Sequence, residues 1–466
     1  MAKAVLVDAP ANGAVPVEGV TPDGLEAALA NLSADARAFV AAAGFTAARG
    51  TIALVPGPGG VLARVLFGLG GGEGNERTAF LPARLAALLP PGDYRLAGGF
   101  PDPAMAALAF GLGAYRFARY KGGSPATADI RLAIPEGVDA AELRRIVDAV
   151  SLARDLVNTP ANDLGPAELA GAIRAVAEQH GAAVTVIAGE ALEQDFPMVH
   201  AVGAAATPDR APRLVDLVWG DPDAPKVTLV GKGVVFDTGG LDLKPSSNML
   251  LMKKDMGGAA NALALAALVM GAKLPVRLRL IVPTVENAVA SASFRPGDVL
   301  RSRKGLTVEI GNTDAEGRLI LADALTLAGE EEPDLLIDLA TLTGAARVAL
   351  GPDLPAVFTP DDALAADLAR HGEATADPSW RLPLWRPYLA MIESKVADIN
   401  NAGTGGLAGA ITAALFLQRF VARPERWMHI DIFGWTPSSK PGQPEGGEAQ
   451  TIRALYALLK ERYPPG

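Results

Sequence analysis

Four short apolar segments, each separated from the next by a stretch with helical spacing, constrain the fold of this chain more than any other feature. They are dense in valine, isoleucine and leucine, and they lie at Val227–Val230, Leu278–Val282, Leu335–Leu339 and Met428–Phe433. Strands that are buried on both faces have this composition. Their alternation with helices predicts an α/β domain whose central sheet, mostly parallel or mixed, is flanked by helices.

The first part of the sequence predicts a second, smaller α/β domain. Thr51–Pro56 has the composition of a strand, and Pro103–Phe117 has the apolar spacing of a helix. Asp139–Asn158 predicts one long helix with Asp139 as its cap. We therefore expect a smaller N-terminal α/β domain over residues 1–138, a linking helix over 139–158 and a larger C-terminal domain over 159–466.

Charge and composition argue against several classes of protein. The formal net charge is -10, and phosphate backbones would repel such a chain, so we do not expect nucleic acid as a partner. The chain has no cysteine, which agrees with a reducing compartment. The first 14 residues have no long apolar stretch, and the most apolar later run, Met256–Ala272, is too short and too weakly hydrophobic to span a membrane. We expect a cytoplasmic protein with no membrane partner.

A glycine-rich segment follows the first predicted strand of the larger domain. It runs Val230-Gly-Lys-Gly-Val-Val-Phe-Asp-Thr-Gly-Gly-Leu-Asp-Leu-Lys-Pro. Ligands of open α/β sheets collect beyond the carboxyl ends of strands, and glycines let the backbone approach a ligand closely. Lys232 and Asp237 are therefore interpreted as site residues. Lys253 and Lys254, further along, are interpreted as surface charges.

Three further carboxylates lie on similar segments. Asp255 precedes Met-Gly-Gly-Ala-Ala at the start of an apolar helix, where a lone aspartate would ordinarily be a helix cap. Asp314 and Glu316 lie two apart in Asn312-Thr-Asp-Ala-Glu-Gly-Arg, and alternate residues of an extended stretch point the same way. With Asp237 they make four carboxylates, which stay ionised in one site only if cations lie between them.

These residue types predict a pair of divalent cations. Oxygen-rich sites suit Mg²⁺ or Mn²⁺, and Zn²⁺ also accepts carboxylates. The four histidines are scattered, so we expect no histidine-built zinc site, although His429 on a late strand could lie near the centre. Two metals about 3.5–4 Å apart can share a hydroxide that attacks a carbonyl. Lys244 and Arg318 would then supply positive charge to the oxyanion that forms on the substrate.

These segments resemble the leucine aminopeptidase family, the di-metal cytosolic aminopeptidases. The family's signature peptide is similar to Asn312-Thr-Asp-Ala-Glu-Gly-Arg-Leu. A second segment of the family's pattern is similar to Gly-Lys-Gly…Phe-Asp-Thr-Gly-Gly…Lys-Pro…Asp-Met-Gly-Gly-Ala. Ala397-Asp-Ile-Asn-Asn also fits. The likeness covers roughly the last two thirds of the chain. Thr238 stands where many relatives have serine, and Asp242 lies in a stretch that is usually less charged, but neither departure removes a ligand.

The resemblance implies a metal role for five residues. Lys232, Asp237, Asp255, Asp314 and Glu316 would hold two divalent metal ions per subunit, Mn²⁺ or Zn²⁺. Asp237 and Glu316 would bridge the ions. Lys232 and Asp255 would complete the tighter site, and Asp314 the more exchangeable one. A lysine that binds a metal must be a neutral amine, so the cation would have to depress the pKa of Lys232 strongly.

The resemblance also implies catalytic and substrate-binding residues. Lys244 would polarise the scissile carbonyl, and Arg318 would hold a bicarbonate ion that shuttles the proton of the attacking water. Met252, Thr341 and Gly344 align with the pocket for the first side chain of the substrate. The implied enzyme is a metal-dependent exopeptidase, a homohexamer with a catalytic domain over 159–466. It would release Leu-like or other apolar residues from peptides with a free N-terminus.

Other classes fit the sequence less well. A phosphate-binding loop around Lys232 would need glycine at position 226 and serine or threonine at position 233, but the chain has Lys226 and Gly233 there. There is no Gly-x-Ser-x-Gly elbow of a serine hydrolase. Some relatives in the family bind DNA as architectural proteins, and such a secondary role is the alternative, against which the acidic charge argues.

Overall fold

The computed structural model describes residues 6–8, 13–71, 79–121 and 130–464. Part of the N-terminal segment, in which no signal peptide is expected, lies outside these residues. The chain divides into two units, Met1–Ser151 with Ser438–Glu445 and Leu152–Pro437 with Gly446–Gly466. Among the described residues, no helix combines the length and the apolar character that crossing a membrane requires.

The first unit contains a six-stranded sheet within the described residues. Its strands are β1 (Leu6–Val7), β2 (Val15–Val20), β3 (Ile52–Pro56), β4 (Leu62–Gly68), β5 (Gly92–Leu96) and β6 (Ile130–Ala133). The spatial order is β1-β6-β5-β2-β4-β3, and every neighbouring pair is parallel except β3–β4. The helices are α1 (Leu25–Ala30), α2 (Ala34–Ala42), α3 (Leu85–Leu88) and α4 (Pro103–Gly113), and α5 (Ala140–Asn158) begins in this unit and ends in the second. This smaller α/β unit confirms the predicted fold class.

Local sequence explains several of these elements. Ala53 and Val55 of β3 are buried and alternate with half-buried residues, so one face of the strand packs in the core with Val40 of α2. Ser33 caps α2, because its hydroxyl accepts a hydrogen bond from the Ala36 amide. The α5 helix begins as predicted, since the Asp139 carboxylate accepts hydrogen bonds from the amides of the first helical turn.

The second unit has the larger sheet. The strands of this unit are β7 (Ala183–Ala188), β8 (Arg213–Trp219), β9 (Lys226–Gly231), β10 (Gly233–Asp237), β11 (Arg277–Asn287), β12 (Val299–Arg301), β13 (Thr307–Glu309), β14 (Leu335–Ala340), β15 (Ala356–Phe358), β16 (Trp380–Arg381), β17 (Ile399–Asn400), β18 (Trp427–Asp431), β19 (Trp435–Thr436) and β20 (Gly446–Gly447). Of these, β12, β13 and β17 form a separate three-stranded sheet, and β19 and β20 form a two-stranded one. The main sheet has the order β16-β15-β18-β14-β9-β11-β8-β7, and β10 also pairs with β11. Strands β18, β14, β9, β11 and β10 are parallel, whereas β8 is antiparallel to both of its neighbours and β15 is antiparallel to β18. The sheet is therefore mixed, which is one of the two arrangements that the sequence predicted.

The helices that flank this sheet are α6 (Pro166–His180), α7 (Glu190–Asp195), α8 (Pro197–Gly203), α9 (Ser246–Met249), α10 (Gly257–Gly271), α11 (Gly317–Gly329), α12 (Gly344–Leu350), α13 (Asp362–Ala374), α14 (Gly409–Gln418) and α15 (Ile452–Arg462). Helix α10 is apolar on nearly all sides and is almost completely buried, which is the composition of a core helix. It is the run that the sequence analysis judged too short for a membrane span.

A buried polar network joins β14 to β18. Asp338 lies opposite His429 in the parallel register, and its Oδ1 is 2.6 Å from His429 Nδ1. Trp427 Nε1 donates a hydrogen bond of 2.7 Å to the other carboxylate oxygen of Asp338. All three side chains are fully buried. His429 is therefore held by the core of the sheet, as a structural histidine would be.

Candidate metal centre and active site

The carboxyl ends of four parallel strands of the larger sheet carry polar residues at one edge. Lys232 follows β9, Asp237 ends β10, Thr341 follows β14 and Asp431 ends β18. The Lys232 amide donates to the Leu339 carbonyl of the neighbouring strand at 3.0 Å. This is the edge at which open α/β sheets bind ligands, and it is where the sequence placed Lys232 and Asp237.

Asp255 reaches this edge from a 3₁₀ turn, Met252–Met256, before α10. The N-cap position of α10 is occupied by Met256, without a side-chain cap, so the ordinary interpretation of Asp255 as a helix cap is wrong. Instead, Thr341 Oγ1 donates a hydrogen bond of 2.9 Å to Asp255 Oδ1. Lys232 Nζ lies 2.7 Å from Asp255 Oδ2.

The segment with Asp314 and Glu316 is a turn and not the extended stretch that the sequence analysis assumed. The Asp314 amide donates to the Asn312 side chain at 2.8 Å, and Glu316 has helical dihedral angles. As a result the two carboxylates contact different lysines. Glu316 Oε1 lies 3.0 Å from Lys232 Nζ, and Asp314 forms an ion pair with Lys244. The assumption that this segment is extended was therefore wrong, although Asp314 still lies close enough to Glu316 for its charge to add to burial in raising the pKa of that carboxyl.

Three carboxylates converge at the strand edge. Asp237, Asp255 and Glu316 are buried, and each offers an oxygen within 4.8 Å of the other two. Asp314 lies beside them, because both it and Asp237 contact Lys244, with 2.8 Å between Lys244 Nζ and Asp237 Oδ2. A lysine ammonium lies within ion-pair distance of one carboxylate oxygen in each of Asp255, Glu316 and Asp314. These three oxygens are buried, and none of them accepts a well-aligned hydrogen bond from any described residue. Buried carboxylate oxygens that accept no hydrogen bond are suited to bind a divalent cation.

Burial and mutual repulsion shift the pKa values in this cluster. Burial, and then the charge of Asp237, raise the pKa of Glu316 to about 8 and that of Asp314 to about 6. Burial alone would lower the pKa of Lys232 and of Lys244, but the surrounding carboxylates outweigh it and raise both pKa values. The two ammonium groups thus neutralise the cluster here. A cation between the carboxylates would oppose the ammonium form of Lys232 and favour the neutral amine, which is the form that a lysine ligand requires.

Gly317 makes room for the side chain of Lys232. A Cβ atom at position 317 would lie 2.4 Å from Lys232 Cε and 2.6 Å from its Nζ. The lysine therefore reaches Glu316 only because the next residue has no side chain. The spacing of the motif gave no sign of this requirement, since the two residues are brought together by the fold.

Arg318 lies buried at the start of α11. Its Nη1 donates a hydrogen bond of 2.6 Å to the Asn401 carbonyl, while its buried Nε has no hydrogen-bond partner among the described residues. Burial lowers the pKa of Arg318 to about 10. An unpaired, buried guanidinium N–H fits an anion, because an unsatisfied donor in the interior is costly.

Two asparagines that the sequence analysis did not single out hold this centre in place. Asn401 Oδ1 accepts the Gly311 amide, and its Nδ2 donates to the Asn312 carbonyl, both at 2.8 Å. Asn287 Nδ2 donates 2.8 Å to Asp237 Oδ1 from the end of β11. The predicted strand stopped at Val282, five residues short of Asn287, and Asn401 was noticed only as part of a segment that resembles the family.

The three residues expected in the substrate pocket lie on two segments that are distant in the sequence. The contact between Thr341 and Asp255 brings these segments together. Thr341 contacts Asp255 through its hydroxyl, and its carbonyl oxygen is 3.3 Å from Lys232 Nζ. Met252 is half-buried in the turn that carries Asp255, and Gly344 is the exposed first residue of α12. The structure thus brings Thr341 into the carboxylate cluster.

The interpretation of Lys254 as a surface charge was wrong. Its side chain is buried, Nζ lies 4.8 Å from the centre of the Phe433 ring, and burial lowers its pKa to about 8. Lys253 is half-buried, and its Nζ donates 2.7 Å to the Asn158 carbonyl. Both lysines therefore take part in the packing around the turn of Asp255.

Family models match both parts of the chain. Residues 151–456 match the catalytic domain of the cytosol aminopeptidase family, and residues 15–135 match the N-terminal domain of M17 aminopeptidases. The chain belongs to the cytosol aminopeptidase family. The resemblance found in the sequence and the predicted enzyme class, an aminopeptidase, are thereby confirmed.

Individual relatives agree with this assignment. A probable cytosol aminopeptidase of Syntrophotalea carbinolica is 48% identical over 334 residues, which cover 70% of this chain and 66% of that relative. The crystal structure of a cytosol aminopeptidase from Coxiella burnetii is 47% identical, with a TM-score of 0.93 over 98% of this chain and 99% of that one. The bottromycin maturation enzyme BotP, in complex with Mn, is 36% identical, with a TM-score of 0.86 over 96% of this chain and 99% of that one.

Proposed function

We propose that this aminopeptidase is metal-dependent and releases Leu-like or other apolar residues from peptides with a free N-terminus. The observation that carries the proposal is the convergence of Asp237, Asp255 and Glu316, three buried carboxylates from distant segments, at the ligand-binding edge of the sheet. Such a cluster is costly to bury without compensating positive charge.

Five residues would hold two divalent cations, Mn²⁺ or Zn²⁺: Lys232, Asp237, Asp255, Asp314 and Glu316. The donor set suits either ion, since both accept carboxylate oxygens. BotP, a relative of this chain, binds Mn in its own structure. When bound, such ions polarise a carbonyl and supply a nucleophile at neutral pH.

Other side chains of the centre would act on the substrate directly. Lys244, at the more open side, would donate a hydrogen bond from its ammonium group to the scissile carbonyl oxygen and stabilise the charge that develops there. Arg318 would bind a bicarbonate ion through its unpaired Nε. Met252, Thr341 and Gly344 would line the pocket for the first side chain. One methylene group changes the discrimination between substrates by only about 1–3 kcal/mol. The pocket would therefore favour leucine without excluding side chains of similar size.

We further propose a cytoplasmic homohexamer, which rests on the family resemblance alone. Light scattering of the purified protein tests the assembly: six chains per particle would support it, and a stable monomer or dimer would contradict it. A DNA-binding role is not part of the proposal, because the net charge of -10 opposes binding to a phosphate backbone.

A substrate panel tests the proposed activity. The chain would be stripped with a chelator, reloaded with Mn²⁺ or Zn²⁺, and assayed on leucyl, methionyl, glycyl and aspartyl amides while bound metal is counted. We expect no activity without metal, fastest turnover of the leucyl and methionyl amides, and no turnover of N-acetyl-leucyl amide, because acetylation removes the basic amine. Turnover by the metal-free protein, or of the acetylated substrate, would overturn the proposal.

A further inference from the structure

The loop that carries Lys244 is a tight turn between β10 and α9. The Lys244 amide donates to the Thr238 carbonyl at 2.9 Å, so the residues between them fold back on themselves. Gly239 and Gly240 have φ angles of +88° and +65°, which residues with side chains rarely adopt. These features give the turn its shape, but they do not attach it to the carboxylate cluster.

Asp242, at the tip of the turn, is a side chain that attaches the turn to Thr313, the residue before Asp314. Asp242 Oδ2 accepts a hydrogen bond of 2.7 Å from the Thr313 amide. In the other direction, the Asp242 amide donates to Thr313 Oγ1 at 2.8 Å, and that hydroxyl donates to the Gly239 carbonyl at 2.6 Å. Asp242 itself is exposed, but Thr313 is fully buried, so removing the carboxylate would leave a buried amide without its partner.

Thr313 directly precedes Asp314, whose carboxylate contacts Lys244. Two residues of the turn therefore reach the same short segment. Asp242 binds the backbone amide of Thr313, and Lys244 contacts the side chain of Asp314. The lysine stem has a limited reach, so whether its ammonium group can contact Asp237 and Asp314 together depends on where the backbone of the turn is held.

From these contacts we infer that Asp242 is a positioning residue, which sets the place of the Lys244 ammonium relative to Asp237 and Asp314 by fastening the turn to Thr313. It acts through Lys244 and contacts neither substrate nor metal. The inference rests on the proposed role of Lys244 in the reaction. It extends that role by assigning a task to Asp242, the charged residue that departs from the family pattern, and to the hydroxyl of Thr313.

A double-mutant cycle tests this inference. Asp242→Ala, Lys244→Ala and the double variant would be loaded with Mn²⁺, and kcat and KM measured on leucyl amide. We expect Asp242→Ala to lower kcat by about 10- to 100-fold, the loss that a displacement of about 1 Å can cause, with little change in KM. In the Lys244→Ala background the same substitution should change kcat by less than about threefold, because residues that act together are not additive.

The cycle separates two kinds of failure. If Lys244→Ala leaves kcat unchanged, the proposed role of Lys244 is wrong, and the inference falls with it. If Lys244→Ala lowers kcat but Asp242→Ala lowers it by the same factor in both backgrounds, only the positioning role is overturned.

Matched variants distinguish positioning from folding. Asp221 is also exposed and also accepts a backbone amide in a turn, from Asp223 at 3.0 Å, so Asp221→Ala should keep the kcat of the unsubstituted protein. Thr313→Val should share the kcat loss, and Thr313→Ser, which keeps the hydroxyl, should restore it. Equal losses in the valine and serine variants would overturn the inference. If Asp242→Ala does not fold, Asp242→Asn keeps one acceptor oxygen and should give an intermediate loss of kcat.

Discussion

The two lysines of the centre occupy contrasting surroundings. Lys232 follows a strand, and its ammonium lies buried between Asp255 and Glu316. Lys244 lies on a glycine-rich turn, and its partner Asp314 has a side chain that is 33% exposed. We call Lys232, Asp255 and Glu316 the buried half of the centre, and Lys244 and Asp314 the open half. Asp237, which is buried but contacts Lys244, lies between the two halves.

The difference shows two ways of holding a charge in place. The buried half is formed by strand and helix ends that the apolar core positions, so its geometry depends on long-range packing. The open half depends on hydrogen bonds between a turn and its neighbours. Removing one partner of a buried ion pair costs about 3–5 kcal/mol, whereas an exposed pair contributes far less. The buried half should therefore tolerate substitution least.

The largest effect is expected from Glu316→Ala. This change removes a carboxylate from the cluster and one of the two partners of Lys232, so we expect loss of bound metal and loss of leucyl amide hydrolysis. Activity and metal content would be measured together. Glu193→Ala, at a glutamate whose side chain is 63% exposed, is the control and should be active. Full activity of Glu316→Ala would refute the metal assignment.

Lys244→Ala probes the open half. Because Lys244 is proposed to act mainly on the developing oxyanion, we expect kcat to fall by about 100- to 1,000-fold while both metals stay bound. Metal analysis and steady-state kinetics check this, with the exposed Lys395→Ala as the control. Loss of metal from Lys244→Ala would contradict a role in the transition state. It would also mean that substitutions in both halves of the centre disturb metal binding.

Gly317→Ala probes the space around Lys232. A Cβ there would lie 2.4 Å from Lys232 Cε, so the lysine must move away from Glu316. We expect metal affinity or activity to fall by about 10- to 100-fold, as when an outer partner of a metal ligand is lost. Gly171→Ala, in α6, is the matched control, since a Cβ there meets nothing within 4 Å. Equal activity of the two variants would show that Lys232 need not occupy this position.

The smallest effect concerns the order of metal release. Because Asp314 is more exposed than Asp255, a chelator should remove the metal of the open half first and that of the buried half more slowly. Metal content sampled against time should therefore fall in two phases, with an intermediate of one metal per chain. Simultaneous loss of both metals would argue that the two halves form one inseparable site.

The sequence predicted the sheet and its reactive edge because the responsible signals are local. Runs of valine, isoleucine and leucine mark strands buried on both faces, and parallel strands bring their carboxyl ends together. Lys232 and Asp237 could therefore be placed on the segment that follows a predicted strand, although Asp237 ends a second strand, β10, where a loop was expected. The same argument predicted a central sheet that is mostly parallel or mixed, and the structure has a mixed one.

The remaining parts of the centre depend on contacts between distant segments. Asn401 is 89 residues from Asn312, whose backbone it holds, and no periodicity connects them. The local sequence of Asp255 allows a helix cap. In the folded chain, however, its two carboxylate oxygens contact Thr341 and Lys232. Side-chain hydrogen bonds of this kind follow from the fold and have no signature in a single sequence.

The Asp338 carboxylate beneath this edge determines how two strands align. A shift of β14 by one residue against β18 would turn Asp338 to the opposite face of the sheet and away from His429. Its charge would then lie unpaired in the interior, which is strongly disfavoured. The observed alignment pairs Asp338 with His429, so this polar contact in the core helps to fix where Thr341 and Asp431 lie relative to each other at the ends of the two strands.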